Sequence, residues 1–400
     1  VLNSSGFRGQ DKNAFVQRAE VCARHGSSRA AAPPAPDPRV PPGPTLADVH
    51  DLAPLARFGP LVATDLRDVT SDPAALDSAG FWAVSADFEG RLTCARFGDV
   101  RRAPVPEPVP GRWRGPAAED WVSSLDRAAY TAGVRRIREH IAAGEVYQAN
   151  LCRILSAPLP EPERADVDEL TALLARGNPA PYAGTIRLPA HGVEIATASP
   201  ELFLRRTGRT VESGPIKGTG RTAGDLLEKD HAENVMIVDL VRNDLGRVCA
   251  TGSVTVPALC AVEEHPGLVH LVSTVRGELA ATAGWPGLLA AAFPPGSVTG
   301  APKSSALRII DALETAPRGP YCGGIGWVDA DRGTGELAVG IRTFWLDRTA
   351  PGGPAVRFGT GAGITWGSDP DREWAETELK ASRLLAIASG AYRASGRTAG

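Results

Sequence analysis

Behind Asp126 the apolar residues recur at helical spacing: Tyr130, Val134, Ile137 and Ile141 fall on one stripe, Asp126 can cap the first turn, and Gly144 supplies a left-handed stop. This predicts a helix between Asp126 and Gly144. From Glu145 to Ile154 the pattern alternates with period two, which predicts a strand carrying Val146, Gln148, Asn150, Cys152 and Ile154 on one face. Two amides among apolar neighbours read either as the lining of a pocket or as buried polar groups that satisfy one another.

A second helical run goes from Lys229 through Val241 and places Asp230 and Glu233 one turn apart on one face. A third opens at Ser368-Asp369-Pro370, a capping residue followed by proline in the first turn. It sets Glu373, Glu376 and Lys380 on one face and turns Trp374, Ala381 and Leu385 toward a core. Two helices that each offer paired carboxylates suit a hard cation such as Mg²⁺; taken singly, each also reads as a solvated acidic face. Shorter strand-like segments, Phe81 to Val84 and Leu92 to Ala95, precede a proline cluster between Pro104 and Pro116. Residues 28–44 are too rich in proline and too poor in large apolar groups to fold alone. The expected organisation is a disordered extension over 1–45, a short N-terminal region over 46–118 packed on the main body, and a catalytic domain over 119–392.

With 400 residues, 43% of them hydrophobic and 22% charged, the chain can bury a large core. A formal charge of -3 gives no electrostatic reason to expect nucleic acid or an anionic membrane as partner. No apolar stretch reaches the roughly 18 residues of a membrane span, and no signal-like succession opens the sequence, so a cytoplasmic location is expected. The six cysteines are scattered without a Cys-x-x-Cys pair and read as reduced, mostly buried thiols. None sits in the Gly-x-Cys-x-Gly setting of a glutaminase nucleophile; Cys322 comes nearest and is read as a core thiol in a strand.

Lysine usage changes the picture most. Only five of the 43 basic residues are Lys, so where a positive charge suffices the chain uses arginine, whose guanidinium does not deprotonate. A lysine amine can be desolvated, lose its proton and attack carbon. Lys217 lies in Pro215-Ile216-Lys217-Gly218-Thr219, which predicts a rigid turn, and is either a chemical residue or a surface lysine there. The glycine-rich run from Pro294 to Lys303 lacks the spacing of a nucleotide-binding loop but can feed a helix N-terminus that favours an anion such as a carboxylate.

Taken together, Gly144 to Leu151, Ser199 to Phe203, Pro215 to Thr219, Glu233 to Leu240, His270 to Ser273, Gly296 to Lys303, Ile341 to Thr343 and the Glu376-Thr377 helix resemble the chorismate-utilising enzymes. The resemblance covers roughly residues 120–390, and its weight lies in the order of eight motifs. It implies an α+β fold, a layered sandwich of large, mainly antiparallel sheets flanked by helices, with the active site between the layers. It makes Glu233 and Glu376 ligands of Mg²⁺, with Asp230 and Glu373 in the outer shell. Gly218, Thr219, Tyr321, Arg342, Lys380, Gln148, Ser297 and the backbone of Gly361-Ala362-Gly363 become substrate-binding positions.

The family divides by the nucleophile it delivers. Members that add water resemble this chain but carry a lysine base where Gln148 stands, and those that make anthranilate usually have Ala where Lys217 stands. The resemblance therefore points to amination of chorismate at C4 by ammonia: Lys217 attacks C2, Glu201 is the general acid, and His270 tunes the pocket. Ammonia would come from a glutamine amidotransferase subunit. An anthranilate-forming enzyme and a non-catalytic binding protein on the same scaffold are the alternatives. Asn178 to Tyr182 resembles one wall of the family's regulatory amino-acid pocket.

Overall fold

The alternating segments become strands of one antiparallel ladder that folds back on itself, seen in a computed structural model that describes residues 52–390 apart from 221, 227, 266 and 267. The extension expected over 1–45 lies outside the described residues. The chain begins with β1 (Leu55–Phe58), β2 (Leu61–Thr70), β3 (Phe81–Ala86), β4 (Leu92–Arg102) and β5 (Val122–Ser123). Next come α1 (Arg127–Ala142), β6 (Gln148–Pro158), α2 (Val167–Gly177), β7 (Tyr182–Leu188), β8 (Val193–Ser199), β9 (Leu202–Thr207), β10 (Thr210–Gly214) and β11 (Ile216–Gly220). They are followed by α3 (Glu228–Gly246), β12 (Thr255–His265), β13 (Leu268–Glu278), α4 (Trp285–Ala292), β14 (Gly300–Ala301) and α5 (Lys303–Leu313). The last elements are β15 (Gly324–Asp329), β16 (Thr334–Val339), β17 (Thr343–Asp347), β18 (Ala355–Ile364) and α6 (Pro370–Ala388).

Followed by hydrogen bonding, the ladder runs from β12 through β13, β10 with β11, β9, β16, β15, β3, β4 and β2, then through β1, β7, β8, β17 and β18 to β6. Its two halves face each other over one core, where Trp82 and Val84 of β3 and Phe203 of β9 belong to the same cluster as Ile154 of β6 and Ile195 of β8. The strands expected near Phe81 and Leu92 are thus members of this ladder, with β3 paired to β15.

Helices cover the outer faces. Leu170 and Leu174 of α2 and Ala381 and Leu384 of α6 pack with Phe344 and Phe358 of β17 and β18. On the neighbouring face Tyr130, Val134 and Ile137 of α1 meet Leu151 of β6 and Ile309 of α5. These three α1 side chains are fully buried, the aliphatic ones each contributing about 1.5–3 kcal/mol relative to exposure. The Asp126 carboxylate caps α1 by accepting from Ala129 N at 2.8 Å, and Gly144 takes φ +76°, as the sequence predicts. The C-terminal helix is capped by Asp369, whose side chain accepts from the amides of Asp371 and Arg372.

Three expectations are corrected. The strand after α1 begins at Gln148, and Val146 packs into the α1 cluster because the Gly144 turn carries the chain over the helix end first. Lys217 sits on β11, not in a turn; the irregularity its Pro-Gly surroundings signal is a register shift between Ile216 and Thr219 with Gly218 at φ +81°. Cys322 is a buried core thiol but precedes β15, in left-handed backbone at φ +64°. No helix among the described residues is long and apolar enough to cross a membrane.

Candidate active site

The site forms where the amide-bearing face of β6, the start of β11 and the first turns of α3 and α6 converge. Ser297, in the short turn Gly296–Val298, is its hub. Its carbonyl accepts from Lys217 Nζ at 3.4 Å and from Asn150 Nδ2 at 3.4 Å, and its hydroxyl bonds the Glu201 carboxylate. Glu201 stands between β8 and β9, fixed by its backbone: its amide donates to Ser199 Oγ at 3.3 Å and its carbonyl accepts from Val339 N at 3.0 Å. Only 5% exposed, its carboxyl is pushed up to about 7 by burial, against the lowering influence of Ser297, Lys217 and the Ile216 amide. Burial likewise pulls the Lys217 amine below its ordinary value, although Glu233 and Glu201 hold it up. A carboxyl whose proton is held more tightly than usual and an amine whose proton is held less tightly thus share one serine as hydrogen-bond partner.

Gly218 lets this happen. A side chain there would meet Asp230 Cβ at 2.9 Å, so only glycine allows the first turn of α3 to close on β11 and bring Glu233 toward Lys217. Helix α3 is held to β13 by Asn234, whose Nδ2 donates to Leu271 O at 3.1 Å while its Oδ1 accepts from the Ser273 hydroxyl. His270 lies buried on β13, opposite Thr219 of β11 and Glu263 of β12. The Thr219 side chain lies outside the described residues.

Gln148 and Asn150 are buried on β6, and the Gln148 Nε2 donates to Asn150 Oδ1 at 3.4 Å, so both readings of the amide pair hold in part. The Gln148 Oε1 is buried and among the described residues accepts no hydrogen bond, an acceptor left for another donor. Opposite them on β18, Gly361 pairs with Cys152 and Gly363 with Asn150. A Cβ on Gly363 would sit 2.2 Å from Gln148 Nε2, so the bare backbone keeps this face open. Ala362 points the other way, into the α1 cluster, leaving only its backbone for a ligand. Tyr321 is buried with its ring against Gly359, farther along the same face.

Carboxylates gather at the mouth. Lys229 Nζ lies 3.5 Å from Glu233 and 4.0 Å from Glu373, and Lys380 Nζ lies 2.7 Å from Glu376 and donates to Gly361 O at 3.2 Å. Burial raises the Glu373 carboxyl and neighbouring Glu376 adds to this, while at Glu376 the lysines outweigh burial and hold it low. Glu233 Oε1 is buried and its neighbour is the Lys229 ammonium at 3.5 Å, which stands where these oxygens could meet a cation. Among the described residues no three His, Cys, Asp or Glu side chains would hold a metal by themselves, so a cation here needs water or substrate oxygens as well. Asp230 completes the α3 face beside β11.

Arg342 is half-buried in left-handed backbone at φ +52°, and among the described residues no carboxylate forms an ion pair with it. Burial and nearby Arg383 lower its basicity, the setting of a guanidinium kept for an anion. Lys303, by contrast, is spent on structure: at the start of α5 it donates to Asp244 at 2.7 Å and Ala292 O at 2.9 Å. Sequence reasoning missed two residues: Ser199, whose hydroxyl accepts from the Glu201 amide and donates to Val339 O at 2.6 Å, and Asn234, which makes two hydrogen bonds to β13.

Sandwich, glycine-lined face and mixed acid-lysine cleft define a class. Residues 79–386 match the chorismate binding enzymes, and the chain belongs to that family. It is 41% identical over 304 residues to anthranilate synthase component 1 of Streptomyces coelicolor, covering 72% of this chain and 57% of that protein. It is 38% identical over 341 residues to aminodeoxychorismate synthase of Streptomyces pristinaespiralis, covering 76% of this chain and 45% of that protein. The chain spans about half the length of the curated relatives it matches. The fold matches the menaquinone-specific isochorismate synthase of Escherichia coli at TM-score 0.70 and 18% identity, over 94% of this chain and 100% of that one.

Proposed function

We propose that this chain is the chorismate-aminating component of an aminodeoxychorismate synthase. The observation that carries the reading is the Lys217–Ser297–Glu201 arrangement, in which a desolvated amine and a carboxyl raised to about 7 bond the same serine. In the first half-reaction the neutral Lys217 amine attacks C2 of chorismate, the ring double bonds shift, and the C4–O bond breaks as Glu201 gives its proton to the departing hydroxyl. Ammonia then adds at C4 and returns a proton to Glu201, and the double bonds shift back to expel Lys217, leaving 4-amino-4-deoxychorismate and water. Arg342 and the backbone amides of the 361–363 segment would hold the carboxylates, and Gln148, with its free acceptor, would face the ring. Glu233 and Glu376, with Asp230 and Glu373 behind them, would hold Mg²⁺, which when bound supplies positive charge for the ring carboxylate. An anthranilate synthase is the second reading, favoured by the relative at 41% identity and opposed by Lys217. Mass analysis of the product from chorismate and ammonium, with and without a 4-amino-4-deoxychorismate lyase, separates the two.

The cysteine nearest to a glutaminase setting supports an external ammonia source. Cys322 is fully buried and hydrogen-bonded to Cys152, so it has no access to an amide substrate. The isolated chain should turn over chorismate with ammonium salts and ignore glutamine until a glutamine amidotransferase is added; glutamine-dependent turnover by the chain alone would contradict this.

Glu201 also sets a pH dependence. As a general acid it must be protonated, so kcat/KM should fall as pH rises past about 7. Glu201→Gln should remove most of the activity and with it this descending limb; a limb unchanged in the residual activity would assign it to another group.

A further inference from the structure

Among the described residues, the stretch of β6 from Asn150 to Ile154 has no strand paired to its outer edge. The short β14 pairs only with Gln148 and Ala149, and β5 only with Leu155 and Ser156. Between them the Asn150 amide donates to Thr299 O at 2.8 Å, and Ile154 is satisfied by Ser124. The gap is filled by a buried ion pair: Arg318 and Glu314, 1% and 7% exposed, meet through two hydrogen bonds of 2.6 and 2.8 Å. Glu314 Oε1 accepts from Cys152 N at 2.8 Å, and Arg318 Nη2 donates to Asn150 O at 3.3 Å. The remaining Arg318 nitrogen, Nη1, donates to Val298 O at 2.8 Å, and the guanidinium lies 4.1 Å from the Phe88 ring centroid. Side chains thus stand in for a missing strand, and one guanidinium ties β6 to the turn that carries Ser297.

We propose that Glu314 and Arg318 are positioning residues of the site: by holding the Asn150 and Val298 carbonyls together they fix the Ser297 peptide that aims Lys217. The inference rests on the amination reading above. Both hydrogen bonds to the Ser297 carbonyl are long, at 3.4 Å, so a small displacement of the turn loses them. Both side chains are buried and spend their hydrogen bonds on protein groups, so the cost of losing them should fall on the reaction and not on substrate affinity.

The test uses the full chain with chorismate and ammonium. In the double variant Arg318→Met/Glu314→Met both charges go together, which avoids leaving one buried alone. It should unfold cooperatively, keep KM for chorismate within about threefold, and lose about 100-fold in kcat, the scale of a misplaced reacting group. Arg318→Lys should lose a similar factor, because an ammonium lacks the planar fork that reaches two carbonyls and a carboxylate. Adding Ser297→Ala to the double variant should cost less than it does in the wild type, since the two act on one arrangement. A folded double variant with wild-type kcat, a loss confined to KM, or a Ser297→Ala effect of undiminished size overturns the positioning role. If the double variant does not fold, Arg318→Lys decides by the same split. A wild type that leaves chorismate unconsumed overturns the functional reading and this inference with it, whereas an active wild type matched by its variants overturns the inference alone.

Discussion

Lys217→Ala should lower formation of 4-amino-4-deoxychorismate by roughly 10³-fold or more, the scale on which removal of a nucleophile acts. Lys217→Arg should do no better despite keeping the charge, because a guanidinium does not deprotonate. Burial favours the neutral form of the amine, while Glu233 and Glu201 oppose this without fully restoring the ordinary value. Charge alone is a poor explanation for such a lysine in a chain that otherwise uses arginine. An electrostatic lysine would also fail on truncation, so a second measurement is needed. Wild-type enzyme given chorismate without ammonia should carry an adduct on the peptide containing Lys217, seen by intact mass and peptide mapping. Near-normal rates in Lys217→Arg would remove the covalent step, and with it the main ground for preferring C4 amination over anthranilate formation.

What the sequence reveals here is local, and what it hides is tertiary. The α1 cap, its stripe and its glycine stop are all contained within a few turns, and all three appear where the pattern puts them. The carboxylate faces of α3 and α6 were equally visible, since three- and four-residue spacing decides which side chains are neighbours. The beginning of β6 was not, because Val146 keeps the alternation going while the chain is still rounding the end of α1. Glu314 and Arg318, four residues apart, look in sequence like a solvated pair just past a helix end. Only the gap between β14 and β5 makes them a buried replacement for a strand. The same holds for Ser297, whose three partners come from β6, β11 and the β8–β9 junction. Order of motifs can name such a residue, but its role depends on distances that no periodicity encodes.

The second large effect concerns the carboxylates at the mouth. If the proposed Mg²⁺ site is right, Glu233→Gln and Glu376→Gln should each cut turnover by about 100-fold or more at moderate Mg²⁺ and raise the Mg²⁺ concentration needed for half-maximal rate, because each would remove one hard anionic oxygen ligand. Folding should survive. Glu376 and Lys380 form a half-exposed pair at 2.7 Å, and such pairs contribute about 0–1 kcal/mol, too little for a rate loss of this size to reflect instability. Glu233 is more enclosed, but Lys229 keeps Glu373 within 4.0 Å when Glu233 is neutralised, so no cation is left without an acid nearby. A readout independent of turnover is available: Mg²⁺ with chorismate should raise the melting temperature of the wild type by mass action, and this rise should shrink in both variants. The two residues come from helices far apart in sequence, so a shared metal also predicts coupling. The double variant should lose less than the product of the single losses, since the first substitution already empties the site. Normal activity and an unchanged Mg²⁺ requirement in either variant would mean that Lys229 and Lys380 are the permanent counterions of these carboxylates, and that the cleft binds its substrate through arginine, lysine and backbone amides alone.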